Sequence, residues 1–173
     1  MYLPQSVQVR LAMNTILKSM DREVLFDGCE ELKEFRASCF VSLHIEKDGQ
    51  EVLRGCIGTL SPVKENLYEE IRSNALSAAY QDPRFSPLRE SELENLTISV
   101  DVLEPSEPID SPDQLDPAVY GVIVERDCRR GVLLPDLDGV DTVERQLEIA
   151  RSKAGIRPRE EVALQRFKVI RYH

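Results

Sequence analysis

The sequence predicts an α+β fold, with mostly antiparallel sheet or sheets flanked by helices. Two observations carry that prediction. Stretches in which apolar and polar residues alternate strictly are joined by short turn signals, the connection that antiparallel strands permit. The helical stretches fall between groups of strands rather than after each one. The order reads helix, strands, helix, strand, hairpin, helix, strand, which is not a run of βαβ units.

The first helix is expected over residues 4–20, where Val7, Leu11, Ile16 and Met20 favour one side of a 3.6-residue period. Asp27-Gly28-Cys29 marks a turn, and 30–35 an irregular or short helical connection. Residues 37–47 form a strand in which Cys39, Val41, Leu43 and Ile45 alternate with Phe40, Ser42, His44 and Glu46. Asp48-Gly49 is a strong turn signal, and 51–59 returns as the second arm of a hairpin.

That second arm holds Leu53-Arg54-Gly55-Cys56-Ile57-Gly58-Thr59. Glycine inside a strand loses more backbone entropy than other residues and packs nothing, so two in four positions need a reason. A bulge, a close backbone approach or a ligand on the main chain would each supply one. The hairpin register stays open. A two- or four-residue loop pairs Leu43 with Arg54 and Val41 with Cys56, which makes Cys56 a core residue. A three-residue loop with a glycine bulge sets His44 opposite Arg54 and Ser42 opposite Cys56, which builds a polar cluster. In both registers Arg54 and Cys56 share a face.

Ser61-Pro62 predicts a helix start, with an apolar stripe of Val63, Leu67, Ile71, Ala75 and Ala78 running to about Tyr80. Its N–H groups and dipole would then lie beside Arg54 and Cys56 and favour an anion or a thiolate. Asp82-Pro83-Arg84-Phe85-Ser86-Pro87 follows as a rigid loop, 88–95 as a short acidic helix and 96–103 as a strand. The Pro- and acid-rich stretch 104–117 reads as a long surface connection with at most one helical turn near Asp113. A second hairpin is expected from 120–125 and 131–134 around Arg126 to Arg130. Asp141-Thr142 opens a helix to about Ala154, Gly155 stops it, and 164–172 is the last strand.

The chain of 173 residues is long enough for a real core, as one domain or two lobes sharing one. No apolar run approaches the roughly 18 residues that span a membrane, and no basic-then-apolar leader opens the sequence, so a cytoplasmic location is expected. A net charge of −9 and a pI near 4.8 argue against nonspecific nucleic-acid binding, which rests on Lys and Arg neutralising phosphates. Arg126, Arg129 and Arg130 form the one dense basic cluster, read as a solvated turn. Cys29, Cys39, Cys56 and Cys128 show no C-x-x-C pair, and the two histidines, His44 and His173, stand far from metal-site spacing. No metal is expected, and no nucleotide or other cofactor fingerprint is present.

The heptapeptide 53–59 resembles the signature of the AMMECR domain family. Asp82-Pro83-Arg84-Phe85-Ser86-Pro87 is similar to that family's Asp-x-Arg-Phe-x-Pro segment. Leu96-Thr97-Ile98-Ser99-Val100, Tyr120-Gly121-Val122-Ile123-Val124, Arg130 to Pro135 and Lys153-Ala154-Gly155 resemble its later blocks in order. The resemblance spans nearly the whole chain and implies one domain of two intertwined lobes with a cleft between them, the larger lobe built from both chain ends. It also implies, for a bacterial stand-alone form, Memo-like and radical SAM proteins as partners. It supplies no reaction.

Two functional readings follow. In one, the chain is a binding or accessory module for a partner protein or a small anionic ligand, with Arg54, Gly55, Gly58, Thr59, Asp82, Arg84, Phe85 and His44 at the site. In the other, Cys56 is a nucleophile or redox thiol, Arg54 holds an anionic substrate and His44 is the one available base. Beside both stands a structural reading in which Asp82 and Arg84 pair with each other or brace Arg54, and Phe85 plugs the loop. Cys29, Cys39 and Cys128 are read as structural or incidental.

Overall fold

The structure is a computed structural model and describes residues 4–24, 28–47 and 49–173. Asp27 and Asp48, on which two expected turns rest, lie outside the described residues, as does the segment 1–3. The chain divides into two compact units, residues 1–102 with 171–173, and residues 103–170.

The first unit begins with α1 (Val7–Ser19), followed by β1 (Cys39–Lys47), β2 (Gln50–Gly58), α2 (Leu67–Tyr80) and β3 (Leu96–Leu103). Val9, Ala12, Met13 and Ile16 recur at helical spacing on α1 and are fully buried, as are Ile71 and Ala75 on α2. They cover Val41 and Leu43 of β1 and Val100 of β3, the face that alternation marks as apolar. Each such side chain contributes roughly 1.5–3 kcal/mol on burial. The sheet order is β2-β1-β3 and then the last strand of the chain, which leaves β2 at an edge.

The second unit carries β4 (Glu107–Ile109), β5 (Gly121–Arg126), β6 (Arg129–Leu133), α3 (Val143–Lys153) and β7 (Ala163–Phe167), with sheet order β4-β7-β5-β6. The Thr142 hydroxyl accepts the N–H of Arg145 at the start of α3, and Gly155 past its end has φ +63°. A Cβ on Gly131 would stand 1.9 Å from the Ala150 carbonyl oxygen, so α3 lies directly on β6.

Three expectations are corrected. The last strand is two: β7 ends at Phe167 and β8 (Val169–Tyr172) joins the other sheet, with Lys168 between them accepting from the Glu104 N–H. The alternating pattern runs through the switch because both strands are half-buried. The surface connection 104–117 contains β4, where Pro108 is tolerated because an edge strand needs no donor on its open side. The second hairpin turns at Asp127-Cys128, since Arg126 pairs with Arg129, and Asp127 takes φ +55°.

Candidate functional site

Neither expected register describes β2 alone. Lys47 pairs with Gln50 and His44 with Leu53, the register of a two-residue loop. A bulge then inserts Arg54, and beyond it Leu43 pairs with Gly55 and Ser42 with Cys56. The pairing on the far side of the bulge sets Cys56 with Ser42, on the face away from buried Leu43. Cys56 is therefore partly exposed rather than a core residue. The two glycines answer to packing. A Cβ on Gly55 would lie 2.3 Å from the Ala78 carbonyl oxygen of α2, and one on Gly58 would enter the Phe40 ring and approach the Cys39 carbonyl.

An edge strand exposes N–H and C=O groups that need partners. At Cys56 the Asp82-to-Pro87 loop provides them. Asp82 Oδ2 accepts the Cys56 N–H at 2.9 Å, and Arg84 Nη2 donates to the Cys56 carbonyl at 3.3 Å. Asp82 and Arg84 are themselves locked together, Nη2 to Oδ2 at 2.7 Å and Nε to Oδ1 at 3.0 Å, while the Arg84 N–H also reaches Oδ1. The Arg84 guanidinium and the two backbone donors hold the buried Asp82 carboxyl well below the usual carboxylate range, against the opposing effect of burial.

Arg54 is braced separately. Its Nε and Nη2 form a fork onto Glu92 at 2.7 and 3.1 Å, and Nη2 also reaches the Pro87 carbonyl at 3.3 Å. Arg54 in turn lowers the Glu92 pKa, helped by the Arg89 N–H. Sequence reasoning missed Glu92; the one signal was an arginine in a half-buried strand, which requires a carboxylate somewhere. Phe85 stands between the two guanidiniums, 5.9 Å from Arg54 Cζ and 5.3 Å from Arg84 Cζ.

The expected anion-binding corner is corrected. The helix after the strand begins at Leu67, capped by the Asn66 side chain, and not at Ser61-Pro62. Residues 62–64 are held by the fully buried Glu70, whose carboxylate accepts the N–H groups of Val63 and Lys64 and the Thr59 hydroxyl at 2.6 Å. Arg36 adds bonds to the Pro62 and Lys64 carbonyls. The donors that would have met an external anion are spent on the protein's own carboxylate.

At the thiol, the Ser42 hydroxyl donates to Cys56 Sγ at 3.2 Å. His44 shares the sheet face but pairs with Leu53 and Thr97, and among the described residues no basic side chain hydrogen-bonds Cys56 Sγ. Cys29 and Cys39 are buried and Cys128 is exposed. Burial pushes the Cys39 thiol up to about 12. Among the described residues, no cluster of three or more His, Cys, Asp or Glu is placed to hold a metal ion. No described helix is long and apolar enough to cross a membrane.

The geometry thus sorts the expected residues. Arg54, Thr59, Asp82, Gly55 and Gly58 are committed to internal contacts. Arg84, Phe85, Cys56 and His44 keep part of their surface open.

Comparisons with known proteins bear on the family and the fold. The AMMECR1 family model matches residues 9–173. A Thermotoga maritima protein is 54% identical over 83% of this chain and 81% of its own length. A Clostridium acetobutylicum protein is 46% identical over 83% of the chain, which spans only 30% of that longer relative. The crystal structure of an uncharacterized Pyrococcus horikoshii protein superposes with a TM-score of 0.77 at 28% identity, covering 95% of this chain and 88% of the other.

Proposed function

This chain belongs to the AMMECR1 family, and on that premise we propose that it is a binding or accessory module that docks a partner through Arg84, Phe85 and Cys56. The observation that carries this reading is an asymmetry of exposure. The Arg84 side chain is 55% exposed over a carboxylate that is 2% exposed, whereas the Arg54 side chain is only 10% exposed. A guanidinium held rigid yet open loses little entropy when it meets an anionic group, and an adjacent aromatic ring is a frequent interface anchor. The family resemblance makes Memo-like and radical SAM proteins the first partners to try, in the cytoplasm. The test is calorimetric titration of a purified Memo-like protein, and separately a radical SAM protein, from the same genome. Arg84→Glu and Phe85→Ala should each weaken binding about tenfold while the protein stays folded. Equal affinity across all variants would remove the reading.

One contact favours a second reading, an enzyme with Cys56 as nucleophile or redox thiol on a small anionic substrate. The Ser42 hydroxyl aims its proton at the sulfur, and a hydroxyl donor stabilises a thiolate more than a thiol. If this reading holds, Cys56 must alkylate in the folded protein, and Ser42→Ala must slow that alkylation without unfolding the chain.

A further inference from the structure

The turn Arg157-Pro158-Arg159-Glu160 in the second unit is braced by arginine from several directions. Arg151 Nη1 donates to the carbonyls of Arg157 and Glu160, at 3.2 and 2.8 Å. The Glu160 carboxylate accepts the Arg157 N–H at 2.7 Å and Arg129 Nη2 at 2.8 Å, with Arg126 Nε 3.3 Å away. Arg129 also reaches the Gly155 carbonyl, and Arg126 the Glu161 carbonyl. The Arg129 guanidinium, with the Arg157 N–H, holds Glu160 at about 2, so it stays ionised at neutral pH. Arg126, Arg129 and Arg151 are struts.

Arg157 and Arg159 do something else. Both are exposed, they flank a proline that fixes its own φ, and among the described residues neither guanidinium has an ion-pair partner. In a chain of net charge −9, the molecule has spent three arginines on stiffening a turn that presents two more. We infer that this turn is a docking surface for an acidic segment of a partner protein, with Arg157 and Arg159 each taking a carboxylate. The fork geometry is already realised next door, where Arg129 binds Glu160 through both terminal nitrogens. The two arginines stand two residues apart, so a short acidic run offers each its own carboxylate. Nucleic acid is disfavoured because no aromatic residue lies in 126–130 or 151–161 to stack a base. A membrane surface is disfavoured because no large apolar side chain is exposed at this turn.

The test uses the ¹⁵N-labelled full chain titrated with a hexaglutamate peptide. Amide shifts should concentrate at 155–161, saturate, and weaken as salt rises. Arg157→Glu/Arg159→Glu should lower affinity about tenfold or more with an unchanged unfolding midpoint. Arg157→Gln/Arg159→Gln, which adds no repulsion, should show the same direction of loss. Absence of shifts at 155–161 at millimolar peptide, or equal affinity in both variants, would overturn the inference. So would tighter binding of a thymidine oligonucleotide or of phosphatidylserine vesicles. The amides of Arg84 and Phe85 report the other surface in the same spectra, so failure of one proposal is separable from failure of the other.

Discussion

The carboxylate of Asp82 accepts the backbone N–H of Cys56 at 2.9 Å, and through that bond a loop 26 residues further on closes the open edge of the sheet. Arg84 completes the closure at the Cys56 carbonyl. The pair therefore braces the strand's backbone rather than Arg54. Losing the acid and losing the base should differ. Asp82→Ala leaves a backbone N–H and a guanidinium without their acceptor and should cost about 2–3 kcal/mol. Arg84→Ala removes a side chain that is more than half exposed and should cost about 1 kcal/mol or less. Urea unfolding at pH 7 measures both, and equal costs would contradict the asymmetry.

Acid should unfold the protein through the same groups. Asp82 and Glu92 have folded pKa values depressed below their unfolded values near 4. Their contribution is fully present above about pH 5 and is lost as pH falls through 4 and below, because the unfolded chain then binds protons the folded one refuses. Stability followed by urea unfolding from pH 7 to pH 3 should be flat and then drop. Asp82→Asn should start lower and fall less steeply.

Gly55 should be less replaceable than Gly58. Gly55→Ala drives a methyl group into the Ala78 carbonyl of α2, a backbone atom that cannot swing aside, and should cost about 3 kcal/mol. Gly58→Ala meets chiefly the Phe40 ring but also the Cys39 carbonyl, and should cost less if the ring rotates. Thermal unfolding of the two variants decides the order.

Cysteine accessibility gives a further ordering. Iodoacetamide should label Cys128 first and Cys56 more slowly, and should leave Cys39 unmodified until the protein unfolds. Peptide mapping over a time course reads this directly. Labelling of Cys39 in the folded protein would contradict the burial described here.

The elements were largely legible in the sequence because their signals are local. The period of α1, the alternation of β1 and β3, and the Thr142 cap each follow from a few adjacent residues. The site was legible only in its membership. Arg54, Asp82 and Arg84 stood out as charges in apolar or rigid surroundings, and the pairing of Asp82 with Arg84, two residues apart, was among the expected ones; the partners of Cys56 and Arg54 depend on contacts 26 and 38 residues apart. Glu92 sits in a run of acids with nothing to mark it. The start of α2 misled because Ser61-Pro62 is a good local cap, while Glu70 and Arg36 offered better partners to the same backbone. The bulge at Arg54 combined the turn of one register with the Cys56 pairing of the other, which a rule applied to the whole hairpin could not produce.

The central claim is a division of labour between two arginines, Arg54 as frame and Arg84 as contact. The direct test measures unfolding free energy and affinity for a purified Memo-like or radical SAM partner on Arg54→Gln and Arg84→Gln side by side. Arg54→Gln leaves Glu92 without its fork and should lose about 3 kcal/mol of stability. Arg84→Gln should keep most of its stability and bind about tenfold more weakly. An Arg84→Gln protein that binds like wild type, or an Arg54→Gln protein as stable as wild type, would contradict the account.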